Sequence, residues 1–291
     1  MTQLKFSHLV VICHRHTRAT TAIITALCSL AKRLKFKLYA DSLTLKGIKK
    51  SKLIPAEGVL FEKNALAVSI GGDGNFLSAA QFAITHKLPI LGINRGTLGF
   101  LTDLQTLEEI TPILRGNYKC ENRSLLEVQF VTADATKIKT LVLNDLVLIA
   151  KDNGHIMPYT VAIDNQRLCC YRADGLIFAT PTGSTARTLS AGGSILEPTI
   201  NGTLLVPILS HNLTSRQMIL DSSHTITIET QNRRVLRASI IGDGQLLGEL
   251  YPGNKITLKA AKSKLEILHP QNYHYFKLLS NKLHWETGHN R

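Results

Sequence analysis

The stretch Gly71-Gly72-Asp73-Gly74-Asn75 sets one carboxylate among glycines, directly after the apolar run Ala65 to Ile70 and directly before residues with helical spacing. A strand that ends in glycines and feeds a helix presents backbone N–H groups to phosphate at the carboxyl end of an α/β sheet. Glycine lets a ligand approach the backbone closely. A carboxylate in such a loop repels phosphate, so Asp73 reads as a group with work to do: accepting a proton or holding a metal ion. The sequence carries its own control, because Gly242-Asp243-Gly244 recurs after the alternating stretch Val235 to Ile241. Asp-Gly between strand-like runs is a hairpin signal, so residue 243 reads as a turn, whereas the flanking strand and helix make residue 73 a ligand loop. No Gly-Lys dipeptide exists to support a Walker-type loop, and Gly72-x-Gly74-x-x-Leu77 lacks the third glycine of the dinucleotide fingerprint.

A second constellation runs from Asp174 to Ala186. An apolar strand, Gly175 to Ala179, leads into Thr180, Thr182, Ser184 and Thr185 around Gly183. Hydroxyls in that density suit ribose, phosphate or adenine edges. The same residues also fit a capped helix start, with Ser184 as N-cap and Gly192-Gly193 at the end, and the two readings are compatible because a helix N-terminus is itself an anion site. Asn94 to Phe100 is glycine-rich after a strand. Asn144-Asp145 interrupts the apolar run Leu141 to Ile149, where polar side chains need partners, a bound ligand among them.

The elements that must position these residues change character near residue 120. Before it, strand-like Leu9 to Cys13, Ala65 to Ile70 and Pro89 to Ile93 alternate with helical spacing over Thr17 to Lys35, Asn75 to His86 and Leu104 to Leu114, the last with Glu108 and Glu109 in its first turn. This alternation predicts a parallel sheet covered by helices. After residue 120 the period shifts towards two, as in Leu126 to Phe130 and Thr225 to Glu229, which predicts a β-rich half. Helical spacing returns at Phe276, Leu279 and Leu283. There is no internal repeat and no low-complexity linker.

The chain of 291 residues is long enough for two modest domains, and 44% hydrophobic with 19% charged residues marks a folded chain. The apolar run Leu9 to Cys13 is too short for a signal-peptide core, and no transmembrane span is visible. Five cysteines without a Cys-x-x-Cys spacing support neither a disulfide framework nor a zinc site, so a reducing, cytoplasmic setting is expected. A net charge of +13 suits phosphorylated small molecules, anionic membrane or nucleic acid. The densest basic stretches, Lys46 to Lys52 and Arg233 to Arg237, carry no aromatics and read as solvated surface, so neither nucleic acid nor membrane is expected as a partner.

Gly71 to Gly74, Asn94 to Leu101, Asn144-Asp145, Asp174 to Ala186 with Ala191-Gly192-Gly193, and Asp243-Gly244-Gln245 follow one another in the order and approximate spacing of the NAD kinase family. The chain resembles its bacterial, ATP-dependent type from about residue 65 to residue 285. The glycine loop alone is shared with phosphofructokinases and diacylglycerol kinases, and a lipid or sugar kinase is the competing enzyme class. The Asp174 to Gly193 string is the more specific part. The resemblance implies an α/β domain with a parallel sheet, residues 1–118 plus 275–291, and a β-rich, β-sandwich-like domain, residues 119–274, with NAD in a cleft between them near a subunit contact. It implies transfer of phosphate from ATP, or another donor, to the 2′-hydroxyl of the adenosine ribose of NAD. Asp73 is the implied catalytic carboxylate, in a phosphate loop of Gly71, Gly72, Asp73, Gly74 and Asn75. Gly74, Asn144, Asp145, His155, Arg172, Asp174, Thr182, Gly183, Ser184, Thr185, Ala186, Arg187 and Gln245 are the implied NAD contacts. Mg²⁺ is expected with ATP rather than in a protein metal site, and a homo-oligomer, dimer or tetramer, is implied. Four positions depart from the family: Asp145 where Glu is usual, shorter but expected to keep its charge; Arg187 where Tyr is commoner; Ser210-His211-Asn212-Leu213 for Pro-His-Thr-Leu; and Asn75 for a frequent Thr.

Overall fold

The computed structural model describes residues 4–48, 53–94, 99–132, 134–151, 156–212, 214–230 and 237–285. The chain forms two compact units, one of residues up to Asn122 and from Leu265 on, the other Arg123–Lys264. In the first, β1 (His8–Ile12), β2 (Lys37–Ala40), β3 (Ile54–Pro55), β4 (Ala65–Ile70) and β5 (Ile90–Ile93) alternate with α1 (Arg18–Leu34), α2 (Ser42–Gly47), α3 (Asp73–His86) and α4 (Ile110–Leu114). The strands lie in the order β3-β2-β1-β4-β5, every neighbouring pair parallel. All six residues of β4 are buried, which is why the strand reads as an unbroken apolar run rather than an alternation. Leu9, Val11, Leu66, Val68, Ile70 and Leu91 pack with Ile24, Leu27 and Leu30 of α1. A capping box fixes the start of α1, Thr17 and Thr20 each bonding the other's backbone N–H, and Lys35 in the left-handed region ends it.

The helix expected over Leu104 to Leu114 shrinks to Ile110–Leu114. Leu104 instead bridges Ile93 in parallel, accepting from Asn94 N–H and donating to the Gly92 carbonyl. The Glu109 carboxylate accepts the N–H groups of Gln105 and Thr106, so it serves the loop before the helix. Pro112 supplies the physical reason. It has no N–H to bond back to residue 108, so it fits only the first turn of a helix that begins near Ile110.

The second unit is antiparallel. It takes most of β6 (Lys119–Val131), then β7 (Lys137–Val142), β8 (Asp145–Ala150), β9 (Met157–Ile163), β10 (Gln166–Ala173) and β11 (Gly175–Ala179). After α5 (Arg187–Ser190) follow β12 (Gly202–Ile208), β13 (Met218–Asp221), β14 (Ile226–Thr230), β15 (Ala238–Gly242), β16 (Gln245–Leu250) and the first part of β17 (Lys255–His269). One sheet carries β10-β9-β14-β17, with β6 and β7 attached; the other has the order β13-β12-β11-β8-β15-β16. Side chains of both sheets, among them Phe130, Leu146, Leu148, Tyr159, Val161, Phe178, Ile228 and Ile240, form a single core. Along β8, Leu146 and Leu148 enter that core while Val147 packs with Ile177, Leu196 and Val206 on the opposite face. Both faces of the second sheet are therefore buried at this point, and Leu146 to Leu148 reads as an unbroken apolar run.

The last helix, α6 (Tyr275–Leu283), belongs to the first unit. Its buried residues are Leu278 and Leu279, whereas Phe276 is exposed, so the inward face is turned from the Phe276, Leu279 and Leu283 stripe expected from spacing. Among the described residues no helix is long and apolar enough to cross a membrane, and no disulfide joins any of the five cysteines. Residues 49–52 and 233–236 of the two basic stretches lie outside the described residues. Arg237 pairs with Glu249 at 3.5 Å and stacks over Tyr251.

Candidate functional site

The glycine loop leaves β4 at the carboxyl edge of the parallel sheet, where the Gly71 N–H donates to the Ile93 carbonyl. Gly72 is the N-cap of α3 and lends it no side-chain bond, so the first-turn N–H groups have only the loop's surroundings to satisfy them. Gly72 and Gly74 are exposed, with open space where a Cβ would stand. Asp73, the first helical residue, is half-buried, and its carboxylate is held from three sides. Oδ2 accepts from Phe100 N–H at 2.8 Å, and Oδ1 accepts from Leu101 N–H and the Thr102 hydroxyl, each at 3.2 Å. Gly99 permits this, because a Cβ there would lie 2.0 Å from Asp73 Oδ1. Gly99 thus serves the carboxylate of the other loop; residues 95–98 lie outside the described residues.

The Asn75 side chain is engaged within the fold. Its amide donates to the Ile12 carbonyl and Ser69 Oγ, and its Oδ1 accepts from His14 N–H, so the side chain ties the ends of β1 and β4 to α3. Only its backbone stays with the phosphate loop. An asparagine can bond all three partners at once; the smaller threonine usual in the family offers fewer polar atoms.

In the second unit Asn144 and Asp145 stand at the start of β8, both buried, and the Oδ1 atom of each has no hydrogen-bond partner. Buried acceptors left open are rare in folded proteins and mark a place where a ligand donor fits. Burial pushes the Asp145 carboxyl up to about 6; Arg187 opposes this and Asp243 adds to it. At neutral pH the carboxylate still keeps most of its charge, and it loses it as the pH falls through about 6. Thr180 fastens the turn after β11 to the same place, its N–H donating to the Asn144 carbonyl and its hydroxyl to the Leu143 carbonyl. Gly183 lies against this backbone so closely that a Cβ would be 2.1 Å from the Asn144 oxygen.

Thr182 to Thr185 form a 3-10 turn and α5 is only four residues long. Ser184 is not an N-cap, which corrects that reading. It is fully buried, its hydroxyl donates to the carbonyls of Pro181 and Leu196, and it accepts from Leu196 N–H. Those bonds spend Ser184 within the fold, and Thr182 accepts from the buried Arg123 guanidinium at 3.5 Å. Thr185 and Ala186 are half-buried, and Arg187 is exposed with its guanidinium beside Gly244. Asp174 is half-buried after β10, its carbonyl accepting from Ala150 N–H and from the buried Tyr159 hydroxyl. Arg172 and Gln245 are exposed, and the Arg172 carbonyl accepts from His211 N–H. His155 lies outside the described residues.

Two participants were not legible as such. Arg123 carries no motif. Asp243 was masked by its own hairpin: the turn exists, with Asp243 at φ 47° and Gly244 at φ 84° between β15 and β16, but the carboxylate is buried and accepts backbone N–H groups from Leu143, Asn144 and Asp145.

Residues 14–121 match the ATP-NAD kinase N-terminal domain and residues 143–269 the ATP-NAD kinase C-terminal domain. An NAD kinase of Legionella pneumophila is 38% identical over 98% of this chain and 98% of its own length. One of Aeromonas salmonicida is 40% identical over 78% of each. Among solved structures, yeast NADH kinase complexed with NADH superposes with a TM-score of 0.85 at 23% identity, covering 98% of this chain and 89% of that one. An Archaeoglobus fulgidus NAD kinase in complex with ATP gives 0.69 at 21% identity, covering 95% and 98%. At such identities these two carry the fold alone.

Proposed function

Since the chain belongs to the NAD kinase family and phosphorylates NAD, we propose that it transfers the γ-phosphoryl group of ATP to the 2′-hydroxyl of the adenosine ribose, with Asp73 as the carboxylate that orients and deprotonates that hydroxyl. The observation that carries the assignment is the clamp on Asp73. A carboxylate has about four acceptor positions. Phe100, Leu101 and Thr102 take two on Oδ1 and one on Oδ2, which leaves one on Oδ2 for an incoming hydroxyl. A side chain so restrained costs little entropy to align, and alignment is most of what phosphoryl transfer asks of a protein. The exposed backbone of Gly72 and Gly74 at the start of α3 supplies N–H groups and the positive helix end for the phosphates of the donor.

Asn144 and Asp145 are assigned to the adenosine of NAD, because their open buried oxygens can accept its N–H and O–H donors. Gly74, Thr182, Gly183, Thr185, Ala186 and Arg187 are assigned to the same dinucleotide, and so are Asp174, Arg172, His155 and Gln245. Ser184 shapes the turn from within. Mg²⁺ would come with ATP and draw its oxygens mainly from phosphate and water. Among the described residues no three His, Cys, Asp or Glu converge as metal ligands. Such an ion would neutralise phosphate charge. A homo-oligomer in a reducing cytoplasm completes the reading, and light scattering of the purified protein tests the oligomer.

The deciding assay mixes purified protein, NAD, ATP and Mg²⁺ and follows NADP⁺ through a coupled NADP-dependent dehydrogenase. Formation of NADP⁺ is expected. No product with NAD, together with turnover of a lipid or sugar, overturns the assignment.

A further inference from the structure

Asp243 sits in the left-handed region at φ 47°, a strained position for a residue with a side chain, and its turn would form as well with other residues. What singles it out is the carboxylate. Oδ2 accepts from Leu143 N–H at 2.8 Å, while Oδ1 accepts from Asn144 N–H at 2.7 Å and Asp145 N–H at 3.3 Å. Three successive amides converging on one anion form a nest across about a hundred residues of sequence. The Asp243 N–H returns a bond to the Asp145 carbonyl, so the contact is reciprocal. Without a side chain at 243 these amides, at the buried start of β8, would have to find other acceptors. The next atoms along are the Asn144 and Asp145 side chains with their open oxygens.

We propose that Asp243 is a positioning residue of the dinucleotide site: its carboxylate fixes the Leu143–Asp145 backbone so that the Asn144 and Asp145 side chains are set for the adenosine of NAD. This rests on the assignment of those two side chains to NAD. Asp243 touches no reacting atom, so its loss acts on NAD binding and leaves the Asp73 loop unaltered. Its charge also acts on Asp145, against that of Arg187, and adds to the reluctance of Asp145 to ionise that burial causes.

The test is Asp243→Asn in the full chain, with steady-state kinetics for both substrates and thermal melting. Asparagine keeps the shape but turns an N–H₂ towards amide donors, so one or two of the three bonds fail. The expected result is KM for NAD raised about tenfold or more, with kcat and KM for ATP within about threefold of wild type. Gly253→Ala is the control: Gly253 has φ 81° and open space around it, so alanine strains the β16–β17 turn and lowers the melting temperature without touching the site. The inference is overturned if Asp243→Asn behaves like that control, with a lower melting temperature and an unchanged KM for NAD. Should the asparagine variant not be recovered folded, Asp243→Ser, which keeps one acceptor oxygen, is read by the same criterion. A wild-type protein that makes no NADP⁺ overturns the NAD assignment and this inference together; an active wild type with an unchanged KM for NAD in the variant overturns this inference alone.

Discussion

At the residue scale, Asp73 and Asp145 are carboxylates in opposite circumstances. Asp73 is surrounded by donors, and replacing it by asparagine sets an N–H₂ against the Phe100 amide or against the Leu101 amide and Thr102 hydroxyl. Asp73→Asn should lower kcat by ~10² or more, the range for losing a general base, while circular dichroism and melting show a folded protein. Near-normal turnover in that variant would remove Asp73 from the chemistry. Asp145 lacks donors, and burial lifts its carboxyl to about 6. The folded chain then binds a proton that the unfolded chain, at about 4, has released. This contribution to stability is complete below about pH 4 and is lost as the pH rises towards about 6, on the order of 3 kcal/mol in the unliganded protein. NAD recognition should run the other way, since a carboxylate accepts donors better than a carboxylic acid. KM for NAD is expected to fall as the pH rises through about 6, and an identical inflection in Asp145→Asn would assign that titration to another group. Both residues were legible in the sequence, Asp73 from its strand and helix flanks and Asp145 from polarity inside an apolar run. The pKa was not, because it depends first on burial and then on Arg187 and Asp243, all of which only the fold supplies.

At the element scale, β1, β4, β5, α1 and α3 were readable because burial imposes their patterns, whereas the short strands β2 and β3 were not read. The part of the Leu104 to Leu114 segment that failed did so for a tertiary reason: Leu104 joins Ile93, and a β-bridge to a distant strand leaves no local mark. The role of Gly99 was invisible for the same reason. Gly99→Ala should displace the Asp73 carboxylate, since the added carbon would lie 2.0 Å from Oδ1 and 2.4 Å from Thr102 Oγ1. Activity should fall about as far as in Asp73→Asn while α3 survives; unchanged turnover would show that the clamp is dispensable. The end of β17 carries a second device. His269, fully buried and stacked on Tyr273, faces Asp103 at 2.9 Å and Glu121 at 3.5 Å. Burial disfavours the charged imidazole, but bonds to the two carboxylates outweigh it and its pKa is raised. The imidazolium therefore adds stability that is complete below the unfolded value, about 6.5, and is lost as the pH rises past the higher folded one. The melting temperature should drop on that side, and His269→Gln should flatten the drop.

At the scale of the whole molecule, the excess of 34 basic over 21 acidic residues suits anionic substrates, and its reach is set by salt. KM for ATP should rise with KCl over about 0.05 to 0.5 M as the field is screened; independence of salt would confine recognition to short-range bonds. The change of period near residue 120 announced two kinds of architecture. It could not announce that the first unit resumes at Leu265, because a strand's partners are chosen in space.

That resumption bears on how the protein is born. Ile267 of β17 pairs with Ile90 of β5, so the parallel sheet acquires its last neighbour only after the entire antiparallel unit has been translated. On the ribosome the earlier-begun unit must wait, its β5 edge uncovered at Ile90, while the later-begun one can close as soon as it clears the exit tunnel. Chaperone demand should therefore peak late in synthesis, and ribosome-bound chains that end at Lys264 and continue into an unstructured linker long enough to carry Lys264 out of the tunnel should show the nested unit protected from protease while the flanking one is still cut.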